Sequence, residues 1–169
     1  MYNIEIKAKC SNPGFIRKSL LSENAEFKGT DFQTDTYFMV KEGRLKLRQG
    51  NIENSLIYYK RENISGSKKS SVILYKTTPD STLKEILAQT LGILVEVKKK
   101  REIYFIDNVK FHIDEVESLG SFVEIEAINS VPNKEEIYFR SQCEKYISLL
   151  KINSEDLISI SYSDMLLQK

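Results

Sequence analysis

Carboxylates and cations recur at period two along several short segments of this 169-residue chain. In Tyr2–Lys9, reading YNIEIKAK, the residues Asn3, Glu5, Lys7 and Lys9 fall on one face of an extended strand. Tyr2, Ile4, Ile6 and Ala8 fall on the other. FVEIEA places Glu124 and Glu126 together, GRLKLR places Lys46 and Arg48, and VKKKR places Lys99 and Arg101. Residues i and i+2 of a strand stand about 6.5–7 Å apart, so two glutamates at that spacing can share one ion or bracket two. Glu5, Glu124 and Glu126, with Asp114 as a possible fourth, are hard oxygen donors of the kind Mg²⁺ or Mn²⁺ takes while bridging to phosphate.

Lys7, Lys46, Arg48, Lys60, Arg61, Lys99 and Arg101 supply the opposite charge from separate segments. Guanidinium forks grip phosphate oxygens in pairs, and lysine acts as a point charge. Lys60 and Arg61 are adjacent, so a regular strand sends only one of them to the charged face. Lys99 is preferred over Lys98 and Lys100 because it shares parity with Arg101. Two plainer readings compete: a solvated strand face, and a basic patch for nucleic acid. His112 shares a face with Lys110 and Asp114, and a buried, hydrogen-bonded imidazole is preferred there over a catalytic base.

The net charge of +1 supplies no global field toward nucleic acid or membrane. No apolar run approaches the ~20 residues of a membrane span. The N-terminus enters a strand at once, without a signal-peptide pattern, which fits a cytoplasmic protein. Cys10 and Cys143 stand far apart and are expected as free thiols. A single histidine disfavours His-rich zinc sites and a Ser/His/Asp or Cys/His engine. The length suits one domain over residues 1–169.

The elements that must position these charges are mostly strands. Strands are expected at Tyr2–Lys9, Ala25–Lys28, Thr34–Val40, Arg44–Gln49, Ser55–Arg61, Val72–Lys76, Val95–Ile106, Val109–Val116 and Ser121–Ile128. Ile64–Ser71 reads as a polar loop. Helices are expected from Pro13 to about Ser22, from an Asp80 or Ser81 cap to about Leu91, from Lys134 to about Leu150, and in short pieces after Ser154 and Ser161. The second should bury Leu83, Ile86, Leu87 and Leu91. Short turns between strands imply antiparallel pairing, and many such strands with one polar face imply a closed barrel. The fold class is therefore α+β, a closed antiparallel eight-stranded β-barrel with helices packed outside and charges in the lumen.

YNIEIKAK resembles the E-x-E-x-K signature of the CYTH superfamily, the triphosphate tunnel metalloenzymes. GRLKLR, YYKR, VKKKREIYFIDNVKFHIDEV, LGSFVEIEA and SYSDML resemble successive elements of its class IV adenylyl cyclase branch. The resemblance implies a tunnel that binds a triphosphate through Mg²⁺ or Mn²⁺. It places phosphate binding on Lys7, Lys46, Arg48, Lys60, Lys99 and Arg101, and metal binding on Glu5, Glu124 and Glu126. Catalytic roles fall on Lys7, Arg101 and Asp114. The signature's first glutamate is Asn3 here, an oxygen donor without charge. Three activities fit: cyclisation of ATP to 3′,5′-cyclic AMP, hydrolysis of tripolyphosphate, thiamine triphosphate or a nucleoside triphosphate, and triphosphate sensing without turnover. The expected partners are ATP or tripolyphosphate, with no nucleic acid and no membrane; a homodimer is compatible.

Overall fold

A computed structural model describes residues 1–79 and 81–169. Its strands are β1 (Tyr2–Lys9), β2 (Glu26–Phe38), β3 (Arg44–Gln49), β4 (Ser55–Arg61), β5 (Lys68–Lys76), β6 (Ile93–Ile106), β7 (Val109–Val116) and β8 (Gly120–Ile128). Its helices are α1 (Pro13–Ser22), α2 (Leu83–Leu91), α3 (Glu136–Leu149) and α4 (Tyr162–Leu167). The strands close into a barrel in the order β1-β5-β4-β3-β2-β6-β7-β8, with every neighbouring pair antiparallel. The eight-stranded closed barrel is the expected fold. No helix among the described residues is long and apolar enough to cross a membrane.

The apolar stripe of β1 faces outward, under helices. Ile4, Ile6 and Ala8 are buried with Ile16 and Leu20 of α1 and with Phe139, Cys143, Tyr146 and the adjacent Leu150 at α3. The spacings of four, three and four in that last set put one face of α3 on the wall. Asn12 starts α1 by accepting the Phe15 N–H at 3.1 Å, with Pro13 at the first helical position. Cys10 and Cys143 are both free. On the other side of the barrel Ile73 and Tyr75 of β5 are exposed.

Four local expectations need correction. The two segments Ala25–Lys28 and Thr34–Val40 belong to one strand, β2. Gly29, at φ +127°, absorbs an irregularity in its pairing with β6, so the strand continues through polar residues. The expected loop Ile64–Ser71 ends early, because Lys68–Ser71 pair with Glu5–Tyr2 and begin β5. Lys68 is fully buried there, donating to the carbonyls of Ile64, Ile158 and Ser159. Helix α2 buries no residue, and Ile86 and Leu91 are exposed; it lies against a wall that is already closed. Thr82 sits at its N-cap position, while Asp80 lies outside the described residues.

The turn between β3 and β4 is fixed to β2 by side chains. Asp31 accepts the N–H groups of Ile52 and Glu53, each at 2.9 Å, and the Gln33 amide at 2.8 Å. Asn51 accepts the Phe32 N–H at 2.6 Å and donates to the Thr30 carbonyl at 3.1 Å. This carries Glu53 over the tunnel mouth. A Cβ on Gly50 would meet Asp31 Oδ1 at 2.5 Å. Gly50→Ala should therefore displace the Asp31 carboxylate and leave buried N–H groups unmet, lowering stability by about 2–4 kcal/mol. Urea unfolding checks this. Gly14→Ala, whose Cβ meets only ordinary contact, should leave the midpoint unchanged or raise it.

Candidate active site

Alternation sends the charged stripes inward. Asn3, Glu5 and Lys7 of β1, Lys46 and Arg48 of β3, Lys99 and Arg101 of β6, Lys110 of β7, and Glu124 and Glu126 of β8 line one cavity of about 680 Å³. Register brings them together. Glu5 lies opposite Glu126, Lys7 opposite Glu124, Glu124 opposite His112, and Arg101 opposite Asp114. Tyr37, Ile57, Tyr59, Val97, Val116, Phe122 and Tyr162 form a second buried apolar cluster, the last brought in by α4, and Tyr37, Ile57, Tyr59 and Tyr162 also line the cavity. Asp164 and Ser161 cap α4 reciprocally, which fixes where Tyr162 enters.

Asp35 holds the largest cation cluster. Its carboxylate is 1% exposed and accepts from Lys46 and Lys99 at 2.8 Å and from both arms of the Arg48 fork at 2.9 Å. Burial opposes its charge, but Arg48, Lys46 and Lys99 overcome this and hold Asp35 well below the usual carboxylate range. One carboxylate against three cations leaves a local excess of positive charge, reduced only by Glu53, which contacts Arg48 at 3.0 Å and also pairs with Lys110. That excess is what a polyanion would meet. Burial, with Arg101, Arg48 and Lys46 nearby, pulls the Lys99 amine down to about 7 despite Asp35.

The acidic side is organised around Glu124. It pairs with Lys7 at 3.0 Å and Arg101 at 2.7 Å, and His112 Nδ1 lies at 3.0 Å. Burial works against this carboxylate, yet Lys7 and Arg101 keep it well below its ordinary pKa. The His112 pKa is lowered, by burial first and then by Arg101, which keeps the ring neutral at physiological pH. His112 is thus buried and hydrogen-bonded, in line with the plainer reading. Lys7 also stands 3.7 Å above the Tyr162 ring.

Several site expectations shift. Lys60 is exposed and pairs with Glu42 at 2.8 Å on the outer surface. Its neighbour Arg61 has the inward parity and reaches Glu5 at 2.8 Å. Of the expected metal donors Glu5, Glu124 and Glu126, the last two lie with His112 in a group whose ligand atoms are within 4.8 Å of one another. Arg61 engages Glu5 instead, and burial together with Glu126 raises the Glu5 pKa in spite of that partner. Asp114 does not line the cavity; buried behind Arg101, it accepts from both arms of that fork and from Tyr162 at 2.8 Å. Its contacts hold the Arg101 fork in place. Asn3 Oδ1 is buried at the tunnel without a partner.

Asp35, Glu53, Lys110 and Tyr162 also build the site, although the sequence pattern assigns none of them a role in it. Asp35 carried a signal, since it shares parity with Tyr37 on a strand-forming segment. Lys110 carried the parity of His112 and Asp114. Glu53 lies in a turn and carries no local signal; Tyr162 lies in the SYSDML segment, but its place beside Lys7 and Asp114 is set by the fold.

The donor set of one ring nitrogen and two carboxylates suits a divalent ion, beside cations that suit phosphate. The CYTH domain family model matches residues 1–162. The chain belongs to the CYTH domain family. Members of that family act on small triphosphates with the help of a metal. The CYTH chain is 25% identical to a Methanocaldococcus jannaschii protein named as a candidate adenylate cyclase, over 98% of both chains. Its fold matches a Pyrococcus furiosus protein of undescribed function with TM-score 0.80 and 23% identity, over 96% of this chain and 98% of that one. It also matches a Hippeastrum protein, titled a candidate adenylyl cyclase with dominant triphosphatase activity, with TM-score 0.60 and 16% identity, over 98% and 94%.

Lys99 gives a directional prediction. A bound polyanion favours its charged form, so the ligand-bound pKa lies above the free value of about 7. Below pH 7 Lys99 is charged in both states and affinity is flat with respect to this group. Above pH 7 binding takes up a proton, and affinity falls by up to about tenfold per pH unit until the bound pKa is passed. Calorimetry of tripolyphosphate binding at pH 8, in buffers of different ionisation enthalpy, should show this uptake. Lys99→Arg should remove it.

Proposed function

We propose that this CYTH protein cleaves the triphosphate of a nucleotide, by preference converting ATP to 3′,5′-cyclic AMP and pyrophosphate. The carrying observation is the composition of the cavity. Beyond the cation cluster it has an apolar flank of Ile52, Ile57, Val72, Leu74 and Pro79, with the amides of Asn51 and Asn54 beside it. A volume of about 680 Å³ with such a flank falls within the range of pockets that bury an organic ligand. A bare phosphate chain has no use for that surface.

In this reading Lys46, Arg48, Lys99 and Arg101 hold the β- and γ-phosphates and offset the charge of the departing pyrophosphate. Lys7, fixed by Glu124 and Tyr162, serves the α-phosphate. The ribose 3′-oxygen bonds to the α-phosphorus as the bridging α–β bond breaks, and pyrophosphate leaves with the electron pair. The hydroxyl proton passes to a tunnel carboxylate; Glu5, with its raised pKa, has proton affinity for it. Glu124 and Glu126 would hold Mg²⁺ or Mn²⁺, which supplies polarisation of phosphoryl oxygens. Arg101 is kept in place by Asp114.

Hydrolysis is the second reading. The same cations serve it, and the Hippeastrum protein joins a cyclase-like name to a dominant triphosphatase activity. Purified protein with Mg²⁺ or Mn²⁺ should release cyclic AMP and pyrophosphate from ATP. Orthophosphate from tripolyphosphate, with no cyclic product from ATP, would move the assignment to hydrolysis. No turnover with either ion would leave only sensing.

Glu126 separates site from scaffold. Among the described residues no lysine or arginine pairs with it, and the neutral His112 ring lies 3.7 Å away. Glu126→Ala should cut turnover at least 100-fold and leave the melting temperature unchanged or raised, because Glu5 and Glu124 lose a like-charged neighbour. Arg101→Ala should instead destabilise by about 3–5 kcal/mol, since it strips Asp114 and Glu124 of their shared partner. Thermal melts beside the product assay distinguish the two.

A further inference from the structure

His112 stands among the carboxylates that bind metal in the reading above, yet that reading gives it no task. Its Nδ1 lies 3.0 Å from Glu124 Oε2 and 3.7 Å from Glu126 Oε1. Octahedral bonds of about 2.0–2.1 Å put neighbouring ligand atoms roughly 3 Å apart. The two distances from Nδ1 lie near that spacing, and all three ligand atoms lie within 4.8 Å of one another, so small side-chain shifts would close them around one small ion.

A second observation concerns the ring itself. His112 is 1% exposed, and its Nε2 is buried with no hydrogen-bond partner. The ring is therefore held from its Nδ1 side alone, the side that faces the two carboxylates. Nor does Glu124 depend on this ring, because Lys7 and Arg101 already pair with it.

We propose that His112 is a nitrogen ligand of the tunnel ion and biases the site toward first-row transition ions over Mg²⁺. The inference rests on the metal-dependent triphosphate reading for the ion's purpose, but not for its detection. With an ion present Nδ1 would be the ligand, and the ring proton would sit on Nε2, which has no hydrogen-bond partner of its own. Glu124 exchanges the histidine hydrogen bond for the ion and keeps its cations. Imidazole nitrogen is a softer donor than carboxylate oxygen; Mg²⁺ prefers oxygen and water, whereas first-row ions accept nitrogen readily.

The chain has one histidine, which makes the test specific. Tag-free, unsubstituted protein is titrated with Mn²⁺ alone, without nucleotide, and followed by electron spin-echo spectroscopy. A ¹⁴N coupling should appear and be replaced by a ¹⁵N coupling after ¹⁵N-histidine labelling. His112→Gln should abolish the coupling and weaken Mn²⁺ binding at least tenfold, while Mg²⁺ binding, read by competition, changes less than threefold. Absence of nitrogen coupling in the unsubstituted protein overturns the proposal, as does failure to bind Mn²⁺. Equal weakening of both ions would make His112 a structural residue and overturns it too. Because the labelled protein carries no substitution, a misfolded variant cannot hide the answer. Nitrogen coupling without turnover of any triphosphate would sink the functional reading and leave this one standing.

Discussion

Everything in this barrel depends on keeping charge of both signs inside a closed wall. Taking a carboxylate or an ammonium out of water is expensive, and only close partners recover the loss. Asp35 with Lys46, Arg48 and Lys99 is the densest case; Glu124 with Lys7 and Arg101 is the other. The partners come from strands far apart in sequence but adjacent around the ring, so closure of the barrel and pairing of the charges require each other. A strand slipped by one residue would turn its charges into the helix-covered layer and its apolar stripe into the tunnel. The helices α1 and α3 oppose that slip, since Phe139, Cys143 and Tyr146 accept only the Ile4–Ile6–Ala8 face.

The same arrangement prepares the site before ligand arrives. Arg101 is held by Asp114 and Glu124, and Asp114 by Tyr162, so the fork points into the cavity with little freedom left to lose. Arg48 is held by Asp35 and Glu53 in the same way. The acids keep like-charged neighbours together in the absence of phosphate, and their total charge falls short of that of the cations they hold.

Much of this was legible in residue order, because period two is a strong signal and every lumen strand carries it. Glu5, Lys7, Lys46, Arg48, Lys99, Arg101, Glu124 and Glu126 all line the cavity. Where adjacent residues have opposite parity the signal is silent about which one enters, and it is Arg61, not Lys60, that lines the cavity. Segments that broke the pattern were hardest. Gly29 hides the continuity of β2, and SGSKKS reads as a loop although Lys68 is buried in β5. Asp31 and Glu53 act through a turn, a relation set by three-dimensional closure that no local pattern encodes.

Tyr162 and its apolar neighbours pack into one buried cluster, and Tyr162 itself also lines the cavity. That single ring lies under the Lys7 amine and bonds the carboxylate behind Arg101. Trimming α4 from the far end of the chain would therefore slacken a lysine and an arginine together, one of them in the very first strand.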